Sequence, residues 1–233
     1  MAEPDELLFM IDVDDTLLDN DRFAVDLTER LDMAFGKEEC ERYWRIYDER
    51  RESLGYADYL GTLQTFRFQN ADEPNLLQMS QFLLDYPFAE RLYPHALAVV
   101  RHLRVMGGAI VLSDGDIVFQ PHKIRRSGLW DAVEGRVLVY LHKERMLDVV
   151  QRHFPARRYV MLDDKPHLLA AMKRRLGDQL TTVFVRQGHY AAKAASLEID
   201  PAPDMAVDRI GDLLGFARSD FEASAPALRT GDG

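Results

Sequence analysis

The chain has 233 residues, 39 of them acidic against 29 basic, for a formal net charge of −10. That balance excludes a nucleic-acid surface built on general basicity, and any anionic ligand needs a local pocket of positive charge. The single Cys40 excludes an intramolecular disulfide framework and suits a reducing cytosol. The N-terminus has no signal-peptide pattern and no apolar run approaches membrane-spanning length, so a cytoplasmic protein without a membrane partner is expected.

The apolar residues 7–11 predict a parallel strand covered on both faces, and open α/β sheets place ligands at the carboxyl ends of such strands. Here that end reads Asp12-Val13-Asp14-Asp15-Thr16. Carboxylates crowded in this way repel one another. A hard cation such as Mg²⁺, which binds one or two carboxylates together with water and phosphate oxygens, offsets that repulsion. A solvated turn with acidic helix caps explains one such Asp, but explains this spacing less well.

Residues 17–90 read as almost continuous helix, with apolar residues at helical spacing: Phe23, Leu27, Leu31 and Phe35, then Tyr43 and Tyr47, then Tyr59, Leu63 and Phe66. A last helix carrying Leu76, Met79 and Leu83 follows the break at residues 72–75. From residue 94 onward strands and helices alternate. Strands are predicted at 109–112, 136–141, 159–162 and 181–185, with helices ending at Gly107, Gly128 and Gly177 and another over 144–153. Such alternation means βαβ units and a parallel, Rossmann-like α/β core flanked by helices, with the helical block inserted after the first strand. The core is assigned to 1–16 and 91–233 and the helical insert to 17–90, with 219–233 as a frayed tail.

Strand ends far apart in sequence converge on one edge of a parallel sheet. The second strand ends in Ser113-Asp114-Gly115, where a hydroxyl and backbone N–H groups can hold phosphate oxygens. The third ends in His142-Lys143, and a lysine there can neutralise a carboxylate and a phosphate together. The fourth ends in Asp163-Asp164-Lys165, a second acidic pair in the same topological position. Each alone is an ordinary cap or solvated charge, whereas two facing acidic strand ends are hard to explain without a metal.

These four strand ends resemble the haloacid dehalogenase superfamily of aspartate-nucleophile phosphohydrolases. Asp12-x-Asp14-x-Thr16 is similar to its first motif, Ser113 to its second, Lys143 to its third and Asp163-Asp164 to its fourth, with a helical cap between the first two. The resemblance implies that Asp12 attacks phosphorus and that Asp14 protonates the leaving group and then activates water. It also implies that Lys143 and Mg²⁺ neutralise the transferring phosphoryl group, which Ser113 and the backbone N–H groups of Asp114 and Gly115 bind. The metal would be held by Asp12, the main-chain carbonyl of Asp14 and Asp164, with Asp163 in support, while Thr16 stabilises the turn.

The sequence departs from the family pattern where many members carry a further acid after the fourth motif; His167 and Leu168 stand there. Asp15 replaces the Gly of many members and reads as facing solvent, and Lys165 reads as an ion-pair partner of a neighbouring aspartate. The resemblance covers dehalogenases and phosphomutases too. Dehalogenases generally lack an acid two residues after the nucleophile, so Asp14 favours an Mg²⁺-dependent phosphatase acting on a small phosphorylated metabolite. A mutase or phosphotransferase of the same superfamily and a non-catalytic phosphate- or partner-binding module are the alternatives. Specificity is expected from the insert, where Arg22, Arg45, Arg50, Arg51 and Arg67 are the candidates and Tyr43, Trp44 and Tyr47 read mainly as packing.

Overall fold

The computed structural model describes residues 5–68, 72–194 and 198–222. Six strands form one parallel sheet in the order β3-β2-β1-β4-β5-β6. They are β1 (Asp5–Ile11), β2 (Gly108–Asp114), β3 (Val137–Tyr140), β4 (Ala156–Asp163), β5 (Leu180–Val185) and β6 (Met205–Val207). The first five were expected; β6 was not, because three residues carry too little periodicity to read. The proposed tail divides: Arg218–Glu222 is a short helix anchored by buried Phe221, and residues 223–233 lie outside the described residues.

The side-chain alternation of β1 sets the layers. Leu7, Phe9 and Ile11 face a core shared with Val99, Val100 and Leu103, whereas Leu8 and Met10 face Leu147, Leu169 and Met172. The first group lies on helix α5 (Ala96–Met106), and the second on helices α8 (Leu147–His153) and α9 (Pro166–Leu176). Pro166 at the first turn of α9 fits a position where the missing N–H costs nothing.

Between β1 and β2 lie α1 (Asn20–Phe35), α2 (Lys37–Leu54), α3 (Tyr59–Arg67) and α4 (Asn75–Asp85). The two chain crossings that join this insert to the sheet are bonded to each other. Asp19 N–H donates to Arg91 O at 2.8 Å, and Tyr93 N–H donates to Leu17 O at 2.9 Å. Phe23 of α1 is fully buried against the rings of Tyr59, Tyr86, Phe88 and Phe119, so one aromatic cluster spans insert and core. Phe119 starts α6 (Phe119–Arg126), directly after the second strand end.

Candidate active site

Sheet register brings the acidic strand ends together. Ile11 pairs with Leu162, and Asp12 N–H continues the ladder by donating to Leu162 O at 3.0 Å, which sets Asp12 beside Asp163 and Asp164. Carboxylate oxygens of Asp12, Asp163 and Asp164 all lie within 4.8 Å of one another, and all three residues are buried. Lys143 is fully buried among them, its Nζ 2.5 Å from Asp12 Oδ1 and 2.7 Å from Asp163 Oδ2. Burial alone would pull the Lys143 ammonium down, but Asp12, Asp163 and Asp114 more than offset this and hold its pKa above the usual lysine value.

Lys143, with Lys165 acting from farther away, does not neutralise three carboxylates. Burial, followed by Asp163, raises Asp12 to about 6 against the pull of Lys143. Burial and then Asp163 push Asp164 to about 9. Both oxygens of Asp164 are buried without a hydrogen-bond partner among the described residues, which is costly for a carboxylate. A hard divalent cation among Asp12, Asp163 and Asp164 fits this donor set: all ligands are oxygens, and the orphaned pair on Asp164 would gain the partner it lacks.

Asp14 is not in that cluster. Its side chain turns to α6, where buried Lys123 reaches both its oxygens at 2.7 and 2.9 Å and Gln120 Nε2 reaches Oδ2 at 3.1 Å. Lys123 also donates to Asn20 Oδ1 at 3.1 Å, which ties the first acidic turn to the start of α1. Gln120 Nε2 donates to Ser113 Oγ at 2.9 Å, so one side chain links the first and second strand ends. Thr16 is buried, with Oγ1 3.5 Å from Asp12 Oδ2.

The expectations for Gly115, Asp15 and Lys165 need correction. Gly115 N–H donates to Tyr140 O at 2.9 Å, because sheet pairing runs on past the end of β2, so it is not free to hold a phosphate in this arrangement. Asp114 uses Oδ1 to accept from Lys143 N–H at 2.7 Å, bracing the lysine's turn. Asp15 does not face solvent: it is 2% exposed, has φ of 58°, and accepts the N–H groups of Asn20 and Asp21 at the start of α1. That positive φ is the angle glycine adopts without strain. Among the described residues the Lys165 ammonium makes no ion pair; burial alone would lower its pKa, but Asp12, Asp163 and Asp164 attract it and hold it above the usual lysine value. Its backbone N–H donates to Asp163 Oδ1 at 2.8 Å and its Nζ stands 5.0 Å from the Tyr190 ring centre.

Of the candidate arginines, Arg22 pairs with Asp26, Arg50 with Asp58, and Arg67 with Gln64, all inside the insert. Arg51 alone among the five lines the cleft between insert and core. Tyr43 packs, its hydroxyl on Tyr59 O, while Tyr47 reaches the cleft. Reading the sequence missed Gln120, Lys123, His189 and Tyr190. His189, on α10 (Gly188–Ala194), donates its backbone N–H to Asp21 Oδ2 at 2.8 Å and sets its ring nitrogen 2.5 Å from Asp21 Oδ1.

No family model matches the sequence, and no curated protein matches it. Among solved structures, the chain is similar to one described as a haloacid dehalogenase-like hydrolase from Burkholderia xenovorans LB400. The two are 55% identical, with a TM-score of 0.84 over 91% of this chain and 96% of that one. The chain belongs to the haloacid dehalogenase superfamily of hydrolases. It shares its fold with L-2-haloacid dehalogenase from Xanthobacter autotrophicus (17% identity, TM-score 0.58, 94% of this chain and 99% of that one). It also shares it with YfnB of Bacillus subtilis, described as an HAD-hydrolase bound to magnesium (15% identity, TM-score 0.57, 91% and 97%).

Proposed function

We propose that the protein is a divalent-cation-dependent phosphomonoesterase that works through a phosphoaspartate on Asp12. The observation that carries this reading is Asp164, buried beside Asp12 with both oxygens unpartnered. Displacing halide from a carbon centre calls for no cation, and a site for that reaction gains nothing from burying such a group.

In the first step an Asp12 oxygen forms a bond to phosphorus as the bond to the ester oxygen breaks, and that oxygen takes a proton from Asp14. In the second, water attacks the same phosphorus and gives its proton to Asp14; the acyl phosphate bond breaks, releasing orthophosphate and restoring the Asp12 carboxylate. Lys143 holds Asp12 in place and opposes charge on the phosphoryl oxygens. Ser113 offers its hydroxyl to the phosphoryl group, oriented by Gln120. Mg²⁺ held by Asp12, Asp164 and Asp163 would supply charge neutralisation of the phosphoryl group. Lys123 fixes Asp14 off the cation cluster, where it can face a leaving group. The insert acts as a cap that excludes water and positions the ester.

Release of phosphate from p-nitrophenyl phosphate with Mg²⁺, lost with EDTA and in Asp12→Asn, is the expected result. Halide release from 2-chloropropionate without phosphate release would instead assign the dehalogenase chemistry of the fold relatives.

A further inference from the structure

The cleft between insert and core widens outward from the acidic site. An inner part of about 140 Å³ touches Asp14 and Tyr47, and an outer part of about 450 Å³ touches His142 and His167. Arg51, Lys165 and Tyr190 line both parts. The Arg51 guanidinium lies 5.7 Å from the Tyr190 ring centre and the Lys165 ammonium 5.0 Å from it. Neither side chain has a hydrogen-bond or ion-pair partner among the described residues. The chain carries 39 acidic residues, so such cations ordinarily find carboxylates nearby. Two like charges set against one aromatic ring repel each other, and an anion bound by both offsets that repulsion. Asp12, Asp163 and Asp164 attract the Lys165 ammonium from beyond ion-pair distance; of the acids lining the cleft, Asp14 is bound to Lys123 and Asp114 accepts from the backbone of Lys143.

Resting on the phosphomonoesterase reading, we infer that Arg51 and Lys165 form a second anion subsite, so the preferred esters carry a carboxylate or second phosphate on the leaving group. Lys165 follows Asp164 on the core side of the cleft, and Arg51 lies in the last turn of α2, so the subsite joins core to insert. Gly55, which ends α2 with φ of 82°, lets the helix end approach His142: an added Cβ would lie 2.9 Å from its ring. An outer cleft of this volume suits a small leaving group.

The test uses matched pairs: 3-phosphoglycerate against glycerol 3-phosphate, and fructose 1,6-bisphosphate against fructose 6-phosphate, with p-nitrophenyl phosphate as the reference ester. In the wild type, kcat/KM for the member with the extra anion should exceed that of its partner about tenfold or more, as a charge-assisted contact provides. The pair with the larger ratio tells carboxylate from phosphate. Arg51→Met should cut that ratio about tenfold, chiefly through KM, Arg51→Lys should restore part of it, and added salt should lower it in the wild type. Ratios near one in both pairs, or ratios untouched in a folded Arg51→Met, overturn the inference while p-nitrophenyl phosphate turnover leaves the phosphomonoesterase reading standing. No phosphate from any ester overturns both.

Discussion

Replacing Asp164 with Asn separates two properties of the wild-type carboxylate. Without metal, burial and Asp163 hold its folded pKa at about 9, above the ordinary 3.8. An acid raised in this way favours folding while protonated, and that contribution is lost as pH climbs from about 4 toward 9. In EDTA the wild type should therefore lose thermal stability over this range more steeply than Asp164→Asn. With Mg²⁺ at a hundredfold excess over its dissociation constant, the wild type should gain about 2.7 kcal/mol and the variant little. Thermal unfolding across pH with and without Mg²⁺ reads both effects. Lys123→Met probes the other arm of the site. Leaving Asp14 without its buried partner should lower kcat on alkyl phosphates on the order of a hundredfold, the scale of acid–base assistance. Loss on p-nitrophenyl phosphate should be smaller, since its leaving group departs without a proton. Lys123 was not legible in Phe-Gln-Pro-His-Lys-Ile-Arg-Arg, where a lysine among arginines reads as solvated surface; its partner Asp14 lies 109 residues earlier.

At the scale of elements, the joint between insert and sheet rests on aromatic packing and one ionic cluster. Phe23→Ala should cost about 3–5 kcal/mol, because it empties the centre of the cluster that connects α1, α3 and α6; denaturant unfolding measures it. Asp26 of α1 accepts from the Tyr86 hydroxyl and pairs with Arg91 at 2.9 Å. Although burial alone would raise it, these partners hold its pKa below the ordinary 3.8. A depressed acid gives stability above its unfolded value and loses it as pH falls through the folded one. Unfolding midpoints should therefore drop below about pH 3.8 in the wild type, and less steeply in Asp26→Asn. The helices of the insert were legible from their apolar spacing, as Phe23, Leu27 and Leu31 all prove buried. Their side-chain partners were not. Arg50 and Arg51 are neighbours in sequence, yet one binds Asp58 inside the insert and the other faces the cleft, a difference set by where α3 packs.

Across the whole molecule, a parallel sheet makes its site readable because strand ends meet whatever the length of chain between them. Asp12, Lys143, Asp163 and Asp164 were legible for that reason, and Ile11 opposite Leu162 sets them together. What topology alone leaves open is how each polar group is already used: Gly115 N–H in the sheet, Asp15 in the start of α1. Net charge acts at this scale too. With a formal −10, an anionic ligand is drawn to the cleft by local cations rather than by general steering, so cleft residues such as Arg51 and Lys165 matter more than overall charge. No helix of the described residues is long and apolar enough to cross a membrane. The most direct measurement is anomalous diffraction from crystals soaked in Mn²⁺. A peak within direct coordination distance of both Asp12 and Asp164, about 2.0–2.2 Å, is the predicted result. A strong peak only elsewhere, for instance at Asp15, Asp21 and His189, or no bound ion with Asp12 and Asp164 well ordered, would contradict the account.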